Sequence, residues 1–453
     1  MLWGRAFLSC YTTRMIDLFT QIQQIEFDSP LPATLLEVEQ RFEAPRVGDL
    51  VLATRSALET SGLLARMREG DTVAVGVGSR GVANLPVIAR AVVARLIEAG
   101  LQPYVVPAMG SHGGATAEGQ LDVLAQLGVT EASVGAPIHA TMEVREIGRL
   151  PDGVPLYQGL DSSAADHTLL IARIKPHTDF HSQVESGPAK MAVIGLGKQR
   201  GALAMHSLGG AAFQKYLMPA ARIYAAGTNL GGAIAVVENA YDETAEVVGL
   251  TADAIGAAPE VELLQKAKSL MASLPFPAID VLVVRQLGKN ISGTGMDTNI
   301  LGRLLIPRQP ETFGDVDVAV VVALDLTEET HGNATGMGLA NITTARMARK
   351  IDWVSTYTNG LTSGIFSMYR GSLPMVMADD RRAFMAASHC CAVPQPATRM
   401  VLIQDTLHVD RLWISPALRS AAEEHPRLRV VAEHTLSFSP TGDLISPWCL
   451  AGA

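Results

Sequence analysis

Short apolar runs alternate with longer amphipathic segments along most of this chain. Residues 72–75 are apolar and lead into the Gly-rich turn 76–81, and residues 85–99 follow with apolar side chains at helical spacing. The same pair of patterns returns at 102–107 and 117–127. A β-α-β-α order predicts a parallel sheet with right-handed crossovers, and therefore the α/β class.

The rhythm continues toward the middle of the chain and restarts after a linker. Further apolar runs, each followed by a turn, lie at 168–174, 192–195, 232–237, 279–284 and 316–326. Residues 270–277 contain two prolines among small residues and are the best linker candidate. We therefore predict two domains with Rossmann-like parallel sheets, 15–275 and 276–453, and an active site in the cleft between them.

Composition narrows the functional classes. The 453 residues carry a net charge of -9 with no Lys/Arg run, which argues against a nucleic-acid partner. No apolar run approaches the roughly 20 residues that span a bilayer, so we expect no membrane partner. Four scattered cysteines show neither a zinc spacing nor a disulfide framework, which is typical of a cytoplasmic protein with reduced thiols. The opening MLWGRAFLSC is too short for a signal peptide, and we expect Met15 to be the functional start.

Imidazole groups are concentrated in the turns that follow the predicted strands. Four of the 11 histidines lie in or near these turns, namely His112, His177, His181 and His206. Ligands of open α/β sheets bind at this position, beyond the carboxyl ends of the strands. His112 lies among glycines and His177 follows a proline, and either imidazole could act as a general acid or base. Taken alone, His206 is a better candidate for a core histidine than for a metal ligand.

One lysine lies in a setting that suits covalent chemistry. Lys190 follows Ser186 and Gly187 and precedes the apolar run 191–196, which is expected to half-bury its amine. Burial makes a lysine a better nucleophile or covalent anchor. A lysine whose stem packs at the start of an element is the alternative.

Two glycine motifs are weaker signals. The turn Gly76-x-Gly78-x-x-Gly81 has the form of a dinucleotide fingerprint, but the second strand ends without the acidic residue that binds a ribose. We therefore do not favour NAD, although Arg80 in that turn suits a phosphate or a carboxylate. The segment Gly195–Lys198 lacks the spacing of a P-loop.

Together, several motifs resemble the nickel-dependent lactate racemase family over most of the chain from about residue 40. They are Gly110-Ser111-His112, Pro176-His177, Ser186-Gly187-x-x-Lys190 and the separation between Lys190 and His206. The resemblance implies a nicotinate-derived nickel-pincer nucleotide attached to Lys190, with His206 as the nickel ligand. It implies that Arg80, Ser186 and Gly187 contact the cofactor, and that His112 and His177 form an acid/base pair.

The resemblance also implies an activity and its partners. The expected function is that of an isomerase, a racemase or epimerase of a 2-hydroxy acid such as a lactate-like or sugar acid, by hydride abstraction and return on the cofactor. The expected partners are the hydroxy-acid substrate and cofactor-biosynthesis proteins, and a homodimer is kept open. The chain departs from the family at Ser79, near which the racemase has an acidic residue, and at Thr178, where it has an aromatic one.

Substrate contacts in the second domain are less evident. Lys289 and Arg303 could supply positive charge, and His331 follows a strong strand in a polar segment that could line a polyhydroxylated substrate or begin a helix. Two other functions remain open. One is a lyase or dehydratase acting on a hydroxy or sugar acid without nickel, and the other is a non-catalytic protein that binds an anionic metabolite.

Overall fold

The computed structural model describes residues 21–25, 27–79, 81–209, 211–309, 311 and 313–447. Met15 and Arg80, both singled out above, lie outside these residues. The chain divides into two units. The first unit is Phe42–Ser273, and the second joins the segment that ends at Arg41 to the segment that begins at Leu274.

Both units combine helices and strands. The strands, in chain order, are β1 (Thr34–Gln40), β2 (Thr72–Val77), β3 (Gln102–Pro107), β4 (Val144–Arg149), β5 (Pro155–Gly159), β6 (His167–Ile174), β7 (Leu230–Glu238), β8 (Thr244–Thr251), β9 (Ala278–Leu287), β10 (Asp317–Leu326), β11 (Ile342–Thr344), β12 (Met375–Met377), β13 (Met400–Ile403), β14 (Arg411–Ile414), β15 (Leu428–Thr435), β16 (Ser437–Phe438) and β17 (Leu444–Ser446).

The α-helices are α1 (Leu50–Thr60), α2 (Leu85–Glu98), α3 (Ala117–Gln126), α4 (Glu131–Val134), α5 (Leu160–Ser163), α6 (Pro188–Lys190), α7 (Lys198–His206), α8 (Ala211–Gly227), α9 (Ala258–Leu270), α10 (Thr298–Leu301), α11 (Ala345–Arg349), α12 (Trp353–Ser363), α13 (Asp380–Cys390) and α14 (Arg419–Glu424). In the described part of the chain, no helix is both long and apolar enough to cross a membrane.

The first unit is built on a five-stranded sheet with the order β3-β2-β6-β7-β8. Its first four strands are parallel, and β8 joins the edge antiparallel to β7. Both faces are covered by apolar clusters, with Leu169 and Ile171 of β6 in one and Leu170 in the other. Because parallel strands end at the same edge of a sheet, the turns after β2, β3, β6 and β7 all lie along that edge.

The α/β prediction is confirmed for both units. The strand predicted at 102–107 is observed with the same bounds, and the elements predicted at 72–75, 85–99 and 117–127 differ from the observed ones by one or two residues at an end. The alternation of apolar runs with segments of helical spacing located these elements because each helix also carries its own start or stop residues.

The apolar run 192–195 is not a strand, contrary to the expectation from its pattern. It belongs to a π-helix, Met191–Gly195, that continues directly from α6. A buried helical turn and a buried strand have the same short apolar sequence. Pro188, which occupies the first turn of α6, favours the helical conformation.

The second unit contains an eight-stranded sheet with the order β12-β11-β10-β9-β13-β14-β1-β15. The strands from β12 to β13 are parallel, and β14, β1 and β15 are antiparallel to their neighbours. Strand β1 (34–40) lies within the predicted first domain, 15–275. In the structure it pairs with β14 and β15 of the second unit. This unit is discontinuous in sequence.

Candidate active site

His112 lies in the loop after β3 and is exposed. Its ring Nδ1 is hydrogen-bonded to the hydroxyl of Ser79, which follows the neighbouring strand β2. Gln120 of α3 supports the loop from below, because its Nε2 donates to the carbonyl of Gly110 at 3.0 Å. Because the hydroxyl of Ser79 can donate or accept a hydrogen bond, it orients the imidazole of His112 in either tautomer. Ser79, where the chain departs from the racemase motif, is therefore a direct partner of His112.

His177 lies in the loop after β6, and its ring has contacts on a face and at both nitrogens. The ring stacks on Phe180 with centroids 4.4 Å apart. Nδ1 accepts the backbone N–H of Asp179 at 3.0 Å, and Nε2 contacts the amine of Lys190. The predicted base and the predicted covalent anchor are therefore direct neighbours.

A buried carboxylate fixes the main chain of this loop. Glu185 accepts the backbone N–H groups of His177 at 2.7 Å and Ser182 at 3.1 Å, and the amine of Lys268 at 2.6 Å. Burial alone would raise the pKa of Glu185, but hydrogen bonds from His181, Lys268 and the His177 backbone lower it below its ordinary value. The loop is thus closed around one ionised carboxylate, to which His181 also contributes through Nδ1.

Lys190 ends the short helix α6, whose start is tightly packed. Ser186 exchanges backbone hydrogen bonds with Lys175, at 3.1 and 3.3 Å. Gly187 lies so close to the buried carboxylate of Glu260 that a Cβ would be 2.6 Å from its Oε1. Lys190 is half-buried, in agreement with the expectation from its sequence context.

Glu260 lies on α9 and holds the start of α6. Its two carboxylate oxygens accept the N–H groups of Ala189 at 3.1 Å and Gly256 at 2.7 Å. Burial raises the pKa of Glu260 from 4.5 to about 7, although these two hydrogen bonds oppose the shift. The segment that carries Lys190 therefore rests on a carboxyl group that titrates near neutral pH.

This raised pKa predicts a specific pH dependence of stability. Between about pH 4.5 and 7 the folded state keeps the Glu260 proton while the unfolded state releases it, so the free energy of unfolding falls as pH rises. The expected contribution is about 3 kcal/mol across this window. In Glu260→Gln the contribution should vanish, which denaturant unfolding at a series of pH values measures. Glu262→Gln, an exposed carboxyl on the same helix, is the control, and equal pH slopes for wild type and Glu260→Gln would contradict the assignment.

His206 ends α7 and joins the same group of rings. It packs edge-on against Phe213 at 5.1 Å between centroids, and Phe213 stacks on Phe180 at 5.3 Å. Although His206 has exposed surface, desolvation lowers the pKa of its imidazole, the positive charge of Lys190 lowers it further, and Asp179 opposes the shift. The lowered pKa favours the neutral ring, which is the form that binds a metal ion.

The structure thus brings together His177, Lys190 and His206, which we call the site cluster. His112 lies at the same edge of the sheet. Its loop is joined to the segment between Lys190 and His206 by a hydrogen bond from the Gly110 N–H to the Gly195 carbonyl at 3.1 Å. Arg80, the remaining predicted contact of the first unit, lies outside the described residues. In the described part of the chain, no group of three or more His, Cys, Asp or Glu side chains is arranged to hold a metal ion.

The residues predicted in the second unit have different surroundings. Lys289 follows β9, and its amine donates to the Asn359 side chain at 2.6 Å. Arg303 is buried, and its guanidinium donates to the carbonyls of Val318 and Leu339, which favours a structural role over contact with a substrate. His331 is exposed and has a left-handed backbone with φ 48°. The substrate roles of these residues, and a site in a cleft between domains, stay predictions.

The fold and site define a class, a two-domain α/β protein with a cluster of one lysine and two histidines beyond the ends of parallel strands. No family model matches the chain, and no curated protein matches it. Among solved structures, it is similar to the lactate racemase apoprotein from Thermoanaerobacterium thermosaccharolyticum. The two share 13% sequence identity, with 85% of this chain and 94% of that chain covered and a TM-score of 0.44.

Proposed function

We propose that this protein is an isomerase that inverts the carbinol centre of a 2-hydroxy acid, with a nickel-pincer nucleotide attached to Lys190. One observation carries the proposal. The Lys190 amine contacts Nε2 of His177, and its charge also acts on His206, so the residues proposed as anchor, base and metal ligand lie in one cluster. The three roles themselves come from the resemblance of the sequence motifs, and the proximity of the three residues supports them.

The residues of the site cluster fit such a group. The amine of the half-buried Lys190 could form an amide-type bond, and the imidazole of His206, whose lowered pKa favours the neutral form, could bind nickel beside it. Ser186 and Gly187 lie at the start of the same helix, where they would contact the nucleotide. When bound, the nucleotide supplies a hydride acceptor and three of the donor atoms around nickel, so the chain needs to provide only one metal ligand.

His177 and His112 would transfer the hydroxyl proton of the substrate. His177 is held by Phe180 and by the Asp179 N–H, so its ring stays in one orientation beside Lys190. His112 lies in a different loop and is oriented by Ser79. Inversion requires a base for each of two mirror-image alcohols, and two imidazoles on separate loops provide them. In this proposal the histidine that starts neutral takes the hydroxyl proton of one enantiomer. The other histidine starts protonated and donates its proton to the oxygen of the opposite enantiomer, so the two protonation states are exchanged in each turnover.

Turnover in deuterated water tests the reaction type. We expect the inverted product to keep protium at its chiral carbon, because only the hydroxyl proton is exchanged through His112 and His177. Mass spectrometry of product from lactate-like and sugar acids measures the label. Deuterium at the inverted carbon would contradict the proposal, and loss of water from the substrate would indicate a lyase instead.

A further inference from the structure

Lys198 is a completely buried lysine between Lys190 and His206 in the chain. Its amine donates to the side chain of Asp161 at 2.7 Å and to the carbonyl of Pro107 at 2.6 Å. The Asp161 side chain is 2% exposed, so both members of this ion pair are removed from water. Lysine is almost never fully buried without such a partner.

Lys198 contacts two elements of the first unit that are distant in sequence, β3 and α5. Pro107 is the last residue of β3, which leads into the His112 loop, and Asp161 lies in α5. The residues just before Lys198 also contact the end of β3. Gly195 packs on Ala108 so closely that a Cβ at Gly195 would lie 2.5 Å from the Ala108 carbonyl oxygen. The segment between Lys190 and His206 is therefore joined to the strand that presents His112.

The local backbone is unusual at this point. Lys198 has a left-handed conformation with φ 53°, which disfavours residues other than glycine. The π-helix Met191–Gly195 comes shortly before it. Such features are costly and are concentrated at functional sites. A buried ion pair also adds little net stability compared with an apolar pair of similar size, so stability alone does not account for this arrangement.

We propose that Lys198 is a positioning residue: paired with Asp161, it holds the segment between Lys190 and His206 against the end of β3. In this way it sets the location of the site cluster relative to the His112 loop. The value of that arrangement for catalysis rests on the proposed function, but the positioning itself can be measured without nickel or substrate.

The test compares Lys198→Met with the double variant Lys198→Met/Asp161→Leu. The single variant leaves Asp161 buried and unpaired, so its Tm should fall by about 10 °C. The double variant replaces the ion pair with apolar side chains and should recover most of that loss. If Lys198 positions the site, the imidazole NMR signals of His112 and His206 are displaced from their wild-type chemical shifts in both variants, including the double variant with recovered Tm. The signals of His425 and His434 in the second unit keep their wild-type chemical shifts. The kcat of cofactor-loaded double variant should also fall on the order of 10²-fold, with KM changed less.

A matched control removes a cation from another buried carboxylate. Arg399→Met leaves Asp280 of the second unit without its ion pair and should lower Tm without moving the His112 and His206 signals. Wild-type signals in a double variant with recovered Tm would overturn the proposal. If the double variant does not fold, Asp161→Asn serves in its place: displaced signals support positioning and unchanged signals overturn it. A protein that converts no hydroxy acid would refute the proposed function but leave this NMR result intact.

Discussion

Replacing Lys190 with arginine is expected to abolish turnover, with a loss on the order of 10⁴-fold or more in kcat. Arginine keeps the positive charge beside His177, but its guanidinium cannot form the covalent bond that the proposal requires. Because the Lys190 side chain is only half-buried, the Tm should change little. Initial rates with both enantiomers of lactate-like and sugar acids measure the effect.

The control for this variant is Lys266→Arg, which makes the same substitution at a partly exposed lysine on α9. It should keep wild-type turnover. If Lys190→Arg retained a tenth or more of wild-type activity while Lys266→Arg was also active, Lys190 would not be a covalent anchor. The charge of the residue, rather than its bond, would then be the property that matters.

Replacing either His177 or His112 with glutamine is expected to lower kcat by about 10²–10⁴-fold, the usual contribution of a general acid or base. Two enantiomers have equal free energy, so a racemase variant must lose kcat/KM by the same factor in both directions. The double variant should lose much less than the product of the single losses, because the two groups act in one proton relay.

The two single variants should differ in one respect. His177→Gln also removes the contact with Lys190, so it should reduce nickel retention as well as kcat, whereas His112→Gln should affect kcat alone. His425→Gln, in the second unit, is the control. Rates within threefold of wild type for either site variant would exclude that histidine as an acid or base.

The sequence was sufficient to predict the four parallel strands of the first unit's sheet and the turns that follow them, but not the antiparallel edge strand β8. Strands β2, β3 and β6 are mostly apolar runs that end at turn residues, and such runs predict buried parallel strands and the position of their carboxyl ends. The position of His177 in the turn after its strand was predicted, but its contact with Lys190 depends on how the short helix α6 packs beside that turn.

Other features depend on segments that are distant in sequence. Phe213 and Glu260 have no signal in their own segments, because an aromatic in a helix and an acid in a helix are ordinary features of soluble proteins. Their roles follow only from packing, which places Phe213 between Phe180 and His206, and Glu260 beneath the start of α6. The pairing of β1 with β14 and β15 is likewise a long-range contact that periodicity cannot indicate.

The most direct test of the central claim is the mass and metal content of protein purified from its native source. The account predicts stoichiometric nickel and a mass increment confined to the peptide that contains Lys190, both absent from Lys190→Arg. Active protein that carries neither nickel nor a modified Lys190 would contradict it.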